Sequence, residues 1–159
     1  MELKRLDHMA YRTWDIEPVV DYYTSKLGFN IVQKMELDFG GAKARSHVLQ
    51  FPGAPFYIFV DMGLDQDNVI TEWVKKYGSG LHHMAYLVDD IHAAAENLRQ
   101  KGMRFTTEQV VDTGGGLKQL FSHQHPITGM VTEIIQRYKD DVFFVQENVI
   151  QLIKSTKGL

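Results

Sequence analysis

The sequence predicts an α+β protein: two βαβββ modules forming a curved half-barrel sheet, with a linker helix between them and a helix at the C-terminal end. Three observations carry this reading. His8-Met9-Ala10-Tyr11 recurs as His83-Met84-Ala85-Tyr86. Asp15-Ile16 recurs in the same register as Asp90-Ile91. Leu27-Gly28-Phe29 is answered by Lys101-Gly102-Met103 after a one-residue gap. Self-similarity sustained over such a span marks a duplicated supersecondary unit. The expected boundaries are residues 1–65 for module one, 66–80 for the linker helix, 81–138 for module two and 139–159 for the C-terminal helix. All four parts belong to one structural domain.

Each module reads the same way. Leu6 to Thr13 and Leu81 to Val88 are short runs rich in apolar and aromatic residues, as strands are. Asp15 and Asp90 follow as N-caps, because a short side-chain oxygen can accept from the free amides of a first turn. Val19, Val20, Tyr23 and Leu27, then Ile91, Ala94, Ala95 and Leu98, recur at helical spacing. Pro18 suits a first turn, and Gly28 and Gly102 suit the left-handed residue that ends a helix. Three strand-like runs then complete module one: Phe29–Leu37, Ala44–Phe51 and Pro55–Met62. Module two offers Arg104–Val111, Leu117–His123 and Met130–Arg137. Gly40-Gly41, Pro52-Gly53, Gly114-Gly115-Gly116 and the stretch from Pro126 to Gly129 are the turns between them. Outside the repeat, Asn68 to Tyr77 reads as the linker helix ended by Gly78. Asp140 to Lys154 reads as an amphipathic helix packed on its own domain or closing one end of a cavity.

Composition narrows the chemistry. The 159 residues carry 17 Lys plus Arg against 20 Asp plus Glu, a formal charge of −3. No basic excess exists to neutralise a phosphate backbone, so nucleic acid is not an expected partner. There are no cysteines, which removes disulfides, thiolate catalysis and sulfur-ligated metal. No apolar run approaches the ~20 residues that span a bilayer, and the first residues lack a signal-peptide core. A cytoplasmic location and no membrane partner are therefore expected. Neither a dinucleotide fingerprint nor a P-loop is present.

The remaining chemistry lies with seven His residues and the carboxylates. His8 and His83 are repeat mates. Pairing of the two modules about a pseudo-two-fold axis would bring both to one central place. Glu133 is an acid inside a mainly apolar strand, where acids are depleted and rarely buried alone. Two imidazoles and a carboxylate form a set that holds a divalent metal and leaves positions open. His82 is expected to alternate onto the face opposite His83. His47, His92, His123 and His125 read as surface or outer positions. Tyr11, Tyr86, Phe121 and Phe59 are candidates for a pocket wall or for ordinary core packing.

The repeat, the Gly80-Leu81-His82-His83-Met84-Ala85 stretch and the Glu133-Ile134-Ile135 strand together resemble the vicinal oxygen chelate superfamily. That superfamily includes glyoxalase I, methylmalonyl-CoA epimerase, extradiol dioxygenases and metal-free resistance proteins. The resemblance covers residues from about 4 to 138 and implies metal ligation by His8, His83 and Glu133. Within it, the nearest likeness is to the catalytic half of 4-hydroxyphenylpyruvate dioxygenase. It is carried by Ile70 to His83, Leu117-Lys118-Gln119-Leu120-Phe121-Ser122 and Thr132 to Arg137. That likeness implies that Gln119 faces the substrate as a catalytic residue. In the family, the C-terminal helix closes the pocket with an aromatic residue. Here the matching place holds Val149, so Phe143 or Phe144 would have to take that part.

The resemblance implies a non-haem iron(II) dioxygenase acting on a 2-oxo acid or similar chelating substrate. Iron(II) is the expected cofactor, with zinc, manganese, cobalt or nickel also suited to nitrogen and oxygen ligands. The alternative is a metal-dependent epimerase or lyase like methylmalonyl-CoA epimerase or glyoxalase I, whose length this chain shares. Those enzymes usually draw a fourth ligand from the last strand of module one. Here Phe59 stands opposite Glu133 in the repeat, and Asp61 is the next ligand type along. A third reading is a non-enzymatic small-molecule binding protein. A homodimer is a further implication of the resemblance.

Overall fold

The computed structural model describes residues 1–159. Strand β1 spans Arg5–Arg12 and is followed by helix α1, Ile16–Asp21, which runs on into a π-helical turn at Tyr22–Lys26. Strands β2 (Asn30–Asp38), β3 (Lys43–Gln50) and β4 (Tyr57–Gly63) complete module one. The linker helix α2 is Val69–Tyr77. Module two holds β5 (Gly80–Leu87), α3 (Ile91–Gln100), β6 (Leu117–Phe121) and β7 (Val131–Arg137), and α4 covers Gln146–Ser155.

The caps form as the sequence dictates. Asp15 accepts from the Glu17 amide at 3.1 Å, and Asp90 accepts from His92 and Ala93 at 3.0 Å each. Asn68 accepts from the Ile70 amide at 2.8 Å. Gly28 and Gly102 adopt φ of 78° and 88°, the left-handed conformation that stops each repeat helix without a Cβ clash.

The seven strands form one sheet in the order β2-β3-β4-β1-β5-β7-β6. The modules meet where β1 and β5 run antiparallel, and each of those strands pairs in parallel with the last strand of its own module. This is the pseudo-two-fold arrangement that the repeat implies. Helices α1 and α3 cover the outer face. Ile16 and Val20 pack with Leu49, Ile58 and Val60, while Ile91, Ala94 and Ala95 pack with Leu120 and Ile134. Helices α2 and α4 cover the inner face, where Trp73, Val149 and Ile153 join Phe59, Ala85 and Ile135 in the largest core. No helix is long and apolar enough to cross a membrane.

Two expectations are corrected here. Arg104 to Val111 is not a continuous strand. It pairs with β6 and the residues after it through isolated bridges at Phe105–Ser122 and Val111–Gln119. The polar run between those points has little apolar surface to bury, and the Arg99 guanidinium holds the Glu108 carbonyl at 2.9 Å. The C-terminal helix also starts later than Asp140. Arg137 Nη1 donates to the carbonyls of Val142 and Phe143, at 2.7 and 2.9 Å. The Gln33 amide brackets Phe144, accepting from its N–H at 3.0 Å and donating to its carbonyl at 2.9 Å. These bonds hold the backbone of residues 142–144 outside a helix.

Gly63 sets the approach of α2 to β4. A Cβ there would lie 2.1 Å from Thr71 Oγ1 and 3.0 Å from the Thr71 amide nitrogen. Gly63→Ala is expected to destabilise the protein by about 1–3 kcal/mol through overpacking. Urea unfolding should show a lower midpoint with an unchanged slope. An unaltered midpoint would contradict this contact.

Candidate metal centre

His8 on β1, His83 on β5 and Glu133 on β7 are brought together on the inner face, all buried. His8 Nε2 lies 3.0 Å from Glu133 Oε2, His83 Nε2 lies 3.3 Å from the same oxygen, and the two Nε2 atoms are 3.3 Å apart. Despite this closeness, Glu133 Oε2 makes no aligned hydrogen bond with either ring. The two Nε2 atoms are within hydrogen-bond reach of each other, and all three atoms crowd one small volume. A buried carboxylate oxygen without a partner is costly, and a divalent cation at that place would satisfy all three ligands. The donor set therefore fits a nitrogen–oxygen metal site.

Two β-bulges aim the imidazoles. Leu6 faces Tyr86 and His8 faces Ala85, so Asp7 has no cross-strand partner. Ala10 faces His83 and Tyr11 faces Leu81, so His82 has none either. Asp7 and His82 are themselves repeat mates. Each bulged residue is buried and meets the Nδ1 of the next residue: Asp7 Oδ1 lies 2.8 Å from His8 Nδ1, and His82 Nδ1 lies 2.8 Å from His83 Nδ1. A metal on Nε2 requires the proton on Nδ1, and these partners hold it there. His82 is therefore not on the opposite face, as strict alternation requires. The bulge turns it inward, where its ring meets Trp73 and Phe121.

A further ring of polar contacts braces the ligands. Arg137 grips Asp7 with two bonds, of 2.7 and 3.0 Å. Gln119 donates to Glu133 Oε1 at 2.9 Å and accepts from Asn148 on α4, also at 2.9 Å. Burial opposes charge throughout, yet the nearby carboxylates overcome it at His8. Glu133 and Asp7 raise the His8 pKa to about 9, while the imidazoles hold Glu133 down at about 2. Burial prevails at His83, whose pKa falls to about 4. The metal-free centre thus stores one proton, on His8, which a metal would displace.

The centre faces a small cavity lined by His8, Phe59, Asp61, His83, Gln119, Phe121 and Glu133 together with Val149, Leu152 and Ile153 of α4. Phe59 packs on the His8 ring at 5.3 Å, so the strand position opposite Glu133 in the repeat holds no ligand. Phe144 packs on both His8 and Phe59, at 4.9 and 4.3 Å. Tyr11 does not line this cavity; it belongs to the cluster under α1. Asp61, one inward step beyond Phe59 on β4, is buried in the cavity wall and accepts from the Ser46 hydroxyl. Burial raises its pKa to about 6, against the pull of Ser46, Arg12 and His8. Asp7, Asn148 and Arg137 carried no sequence signal, because their partners are 1, 29 and 130 residues away and chosen by the fold.

A duplicated-module sheet with two buried imidazoles and a carboxylate gathered on its inner face is the architecture of the vicinal oxygen chelate class. A family model described as the glyoxalase/bleomycin resistance protein/dioxygenase superfamily matches residues 7–121, and the chain belongs to that superfamily. Divalent metals are used within that superfamily. Human mitochondrial methylmalonyl-CoA epimerase is 26% identical over 144 residues, 84% of this chain and 74% of its own length. The crystal structure of methylmalonyl-CoA epimerase from Mycobacterium tuberculosis superimposes with a TM-score of 0.73 at 26% identity, covering 86% of this chain and 90% of that one. A 4-hydroxyphenylpyruvate dioxygenase from Tetrahymena thermophila is 22% identical over 93% of this chain but only 37% of its own length. These likenesses weigh toward the epimerase and lyase side, which the sequence alone places second.

Proposed function

We propose that this protein is a metal-dependent isomerase or lyase that moves a proton on the carbon beside a chelating carbonyl. The observation that carries the reading is Asp61, a second buried carboxylate in the wall of the metal cavity and outside the ligand set. A bound divalent ion would supply Lewis-acid stabilisation of negative charge developing on the substrate oxygens. His8, His83 and Glu133 would hold that ion. With its pKa raised to about 6, Asp61 can both accept and return a proton near neutral pH. Ser46 orients it. Gln119 keeps Glu133 aligned and presents its amide to the cavity, and Phe144 and α4 exclude water from above.

Loaded with cobalt, nickel or magnesium, the protein is expected to exchange solvent deuterium into an acyl-CoA or hemithioacetal substrate. Asp61→Asn should lower that exchange by about 10²-fold or more while metal content stays unchanged. Exchange at the wild-type rate in the variant would remove Asp61 from the proposed chemistry.

One observation favours the dioxygenase reading. With Phe59 in place of a fourth ligand, three protein ligands leave positions open for substrate and oxygen. Oxygen uptake with aryl 2-oxo acids after anaerobic iron(II) loading, without deuterium exchange, would establish that reading instead.

A further inference from the structure

Arg12 is among the most deeply buried side chains of the protein, 1% exposed. Its Nη2 donates to Thr156 Oγ1 at 3.0 Å, but Nε and Nη1 have no partner. No carboxylate oxygen comes within 4.0 Å of its guanidinium. Asp61 is its register neighbour on β4 and the one acid whose charge reaches it. The Asp61 side chain is engaged instead by Ser46.

Arg12 is not alone in lacking partners. Its guanidinium carbon lies 5.8 Å from the centre of the Trp73 ring, and the Trp73 and His82 rings are 5.4 Å apart. Trp73 Nε1 and His82 Nε2 are also buried and unpartnered. When His83 binds metal through Nε2, its Nδ1 proton is donated to His82 Nδ1, and the His82 proton must sit on Nε2. Four buried N–H groups, carrying one full positive charge, then share a small region between β1, β5 and α2. Native proteins rarely leave such groups unsatisfied. Asp61 offsets the Arg12 charge only from a distance, and an acceptor that brought negative charge to the open guanidinium edge would satisfy donors and charge together.

The position of this cluster defines its use. His8, Ala10 and Arg12 alternate onto the inner face of β1. His83 faces Ala10 across the sheet, so Arg12 stands two residues, roughly 7 Å, beyond the level of His83. That distance suits the far end of a short substrate whose near end chelates the metal.

We propose that Arg12, Trp73 and His82 form an anion subsite for a carboxylate at the distal end of the substrate, making the preferred substrate a short dicarboxylate with its own chelating oxygens. The proposal gives a substrate class to the site described under Proposed function and rests on metal chelation there, but not on the reaction. Arg12 would pair with the carboxylate through Nε and Nη1, the two parallel donors of a guanidinium edge. Trp73 and His82 would complete its solvation.

The test compares ligands by calorimetric titration of the cobalt(II)-loaded protein. 2-Oxobutanoate offers the chelating end alone, whereas 2-oxoglutarate and 2-oxoadipate add a distal carboxylate. At least one of the two dicarboxylates should bind ~10-fold or more tightly than 2-oxobutanoate, as a charge-assisted pair implies. Arg12→Met should erase that advantage and leave 2-oxobutanoate binding unchanged. Trp73→Phe keeps the ring and removes one donor; it should reduce the advantage a few-fold and remains informative if Arg12→Met does not fold. Acetate titrated into the metal-free protein separates a free-anion site from a substrate subsite. Equal affinities in the wild type, an undiminished advantage in both variants, or binding of acetate alone would overturn the proposal. Because the titration needs no turnover, failed deuterium exchange with a retained dicarboxylate advantage would refute only the proposed reaction.

Discussion

His83→Ala is expected to reduce metal content from one first-row ion per chain to background, measured by elemental analysis after metal loading and desalting. The three candidate ligands come from three separate strands, and each contributes a single atom to one small volume. With His83 gone, the remaining pair of His8 and Glu133 has no third atom to close the site. Two-ligand sites on a buried surface hold metal weakly, since the ion must lose most of its water without replacement. The metal-free variant should fold, because His83 is neutral in the metal-free protein, where burial holds its pKa near 4. Deleting a neutral imidazole therefore leaves no charge stranded. A variant that retained a full equivalent of metal would place the ion elsewhere and refute the His8–His83–Glu133 centre.

Asp7→Asn is the second large effect, and it separates the ligands from what aims them. Asp7 is fully buried, touches no metal position, and joins His8 to Arg137. Loss of such a partner typically lowers metal affinity by about 10–100-fold. Stability should fall as well, by about 3 kcal/mol, because a buried ion pair is broken and Arg137 loses its counter-charge. For a chain of this size that corresponds to a drop of about 6–12 °C in Tm. The pH dependence has a definite sign. Burial works against the Asp7 charge, but His8 and Arg137 hold its carboxyl well below the ordinary range. Its contribution is therefore complete above its unfolded pKa of about 4 and is lost as pH falls through the depressed folded value. Below about pH 4 the wild type should lose stability more steeply than Asp7→Asn in metal-free buffer. Parallel curves, or unchanged metal affinity, would show that Asp7 does not brace the centre.

The paired modules were readable in the chain because duplication leaves an imprint that needs no structure. His8-Met9-Ala10-Tyr11 and its copy are strands with the same partners, and Asp15 and Asp90 cap equivalent helices. Equivalent residues in a two-fold sheet must lie near the axis together, so the His8–His83 pairing followed from repetition alone. Glu133 stood out as an acid in an apolar strand. What failed was local: the run from Arg104 to Val111 has strand-like residues at its ends but a polar middle that does not pair, and Asp140 to Val145 has helix-like residues held open by Arg137 and Gln33.

The sequence by itself determined the paired modules, the caps and the three side chains that converge on the inner face, because periodicity and repetition act over short range and by symmetry. Only the tertiary structure decided what surrounds them. Bulges at Asp7 and His82 break the two-residue alternation, a change of backbone register that no residue type announces. They place a carboxylate behind one ligand and an imidazole behind the other. The same folding leaves Arg12 buried without a direct ion pair, because its surroundings come from β4, β5, α2 and α4, elements far apart in the chain. Burial then turns ordinary side chains into specific ones. It strengthens each unpaired charge and makes the identity of the partner, protein or substrate, a property of the assembled fold.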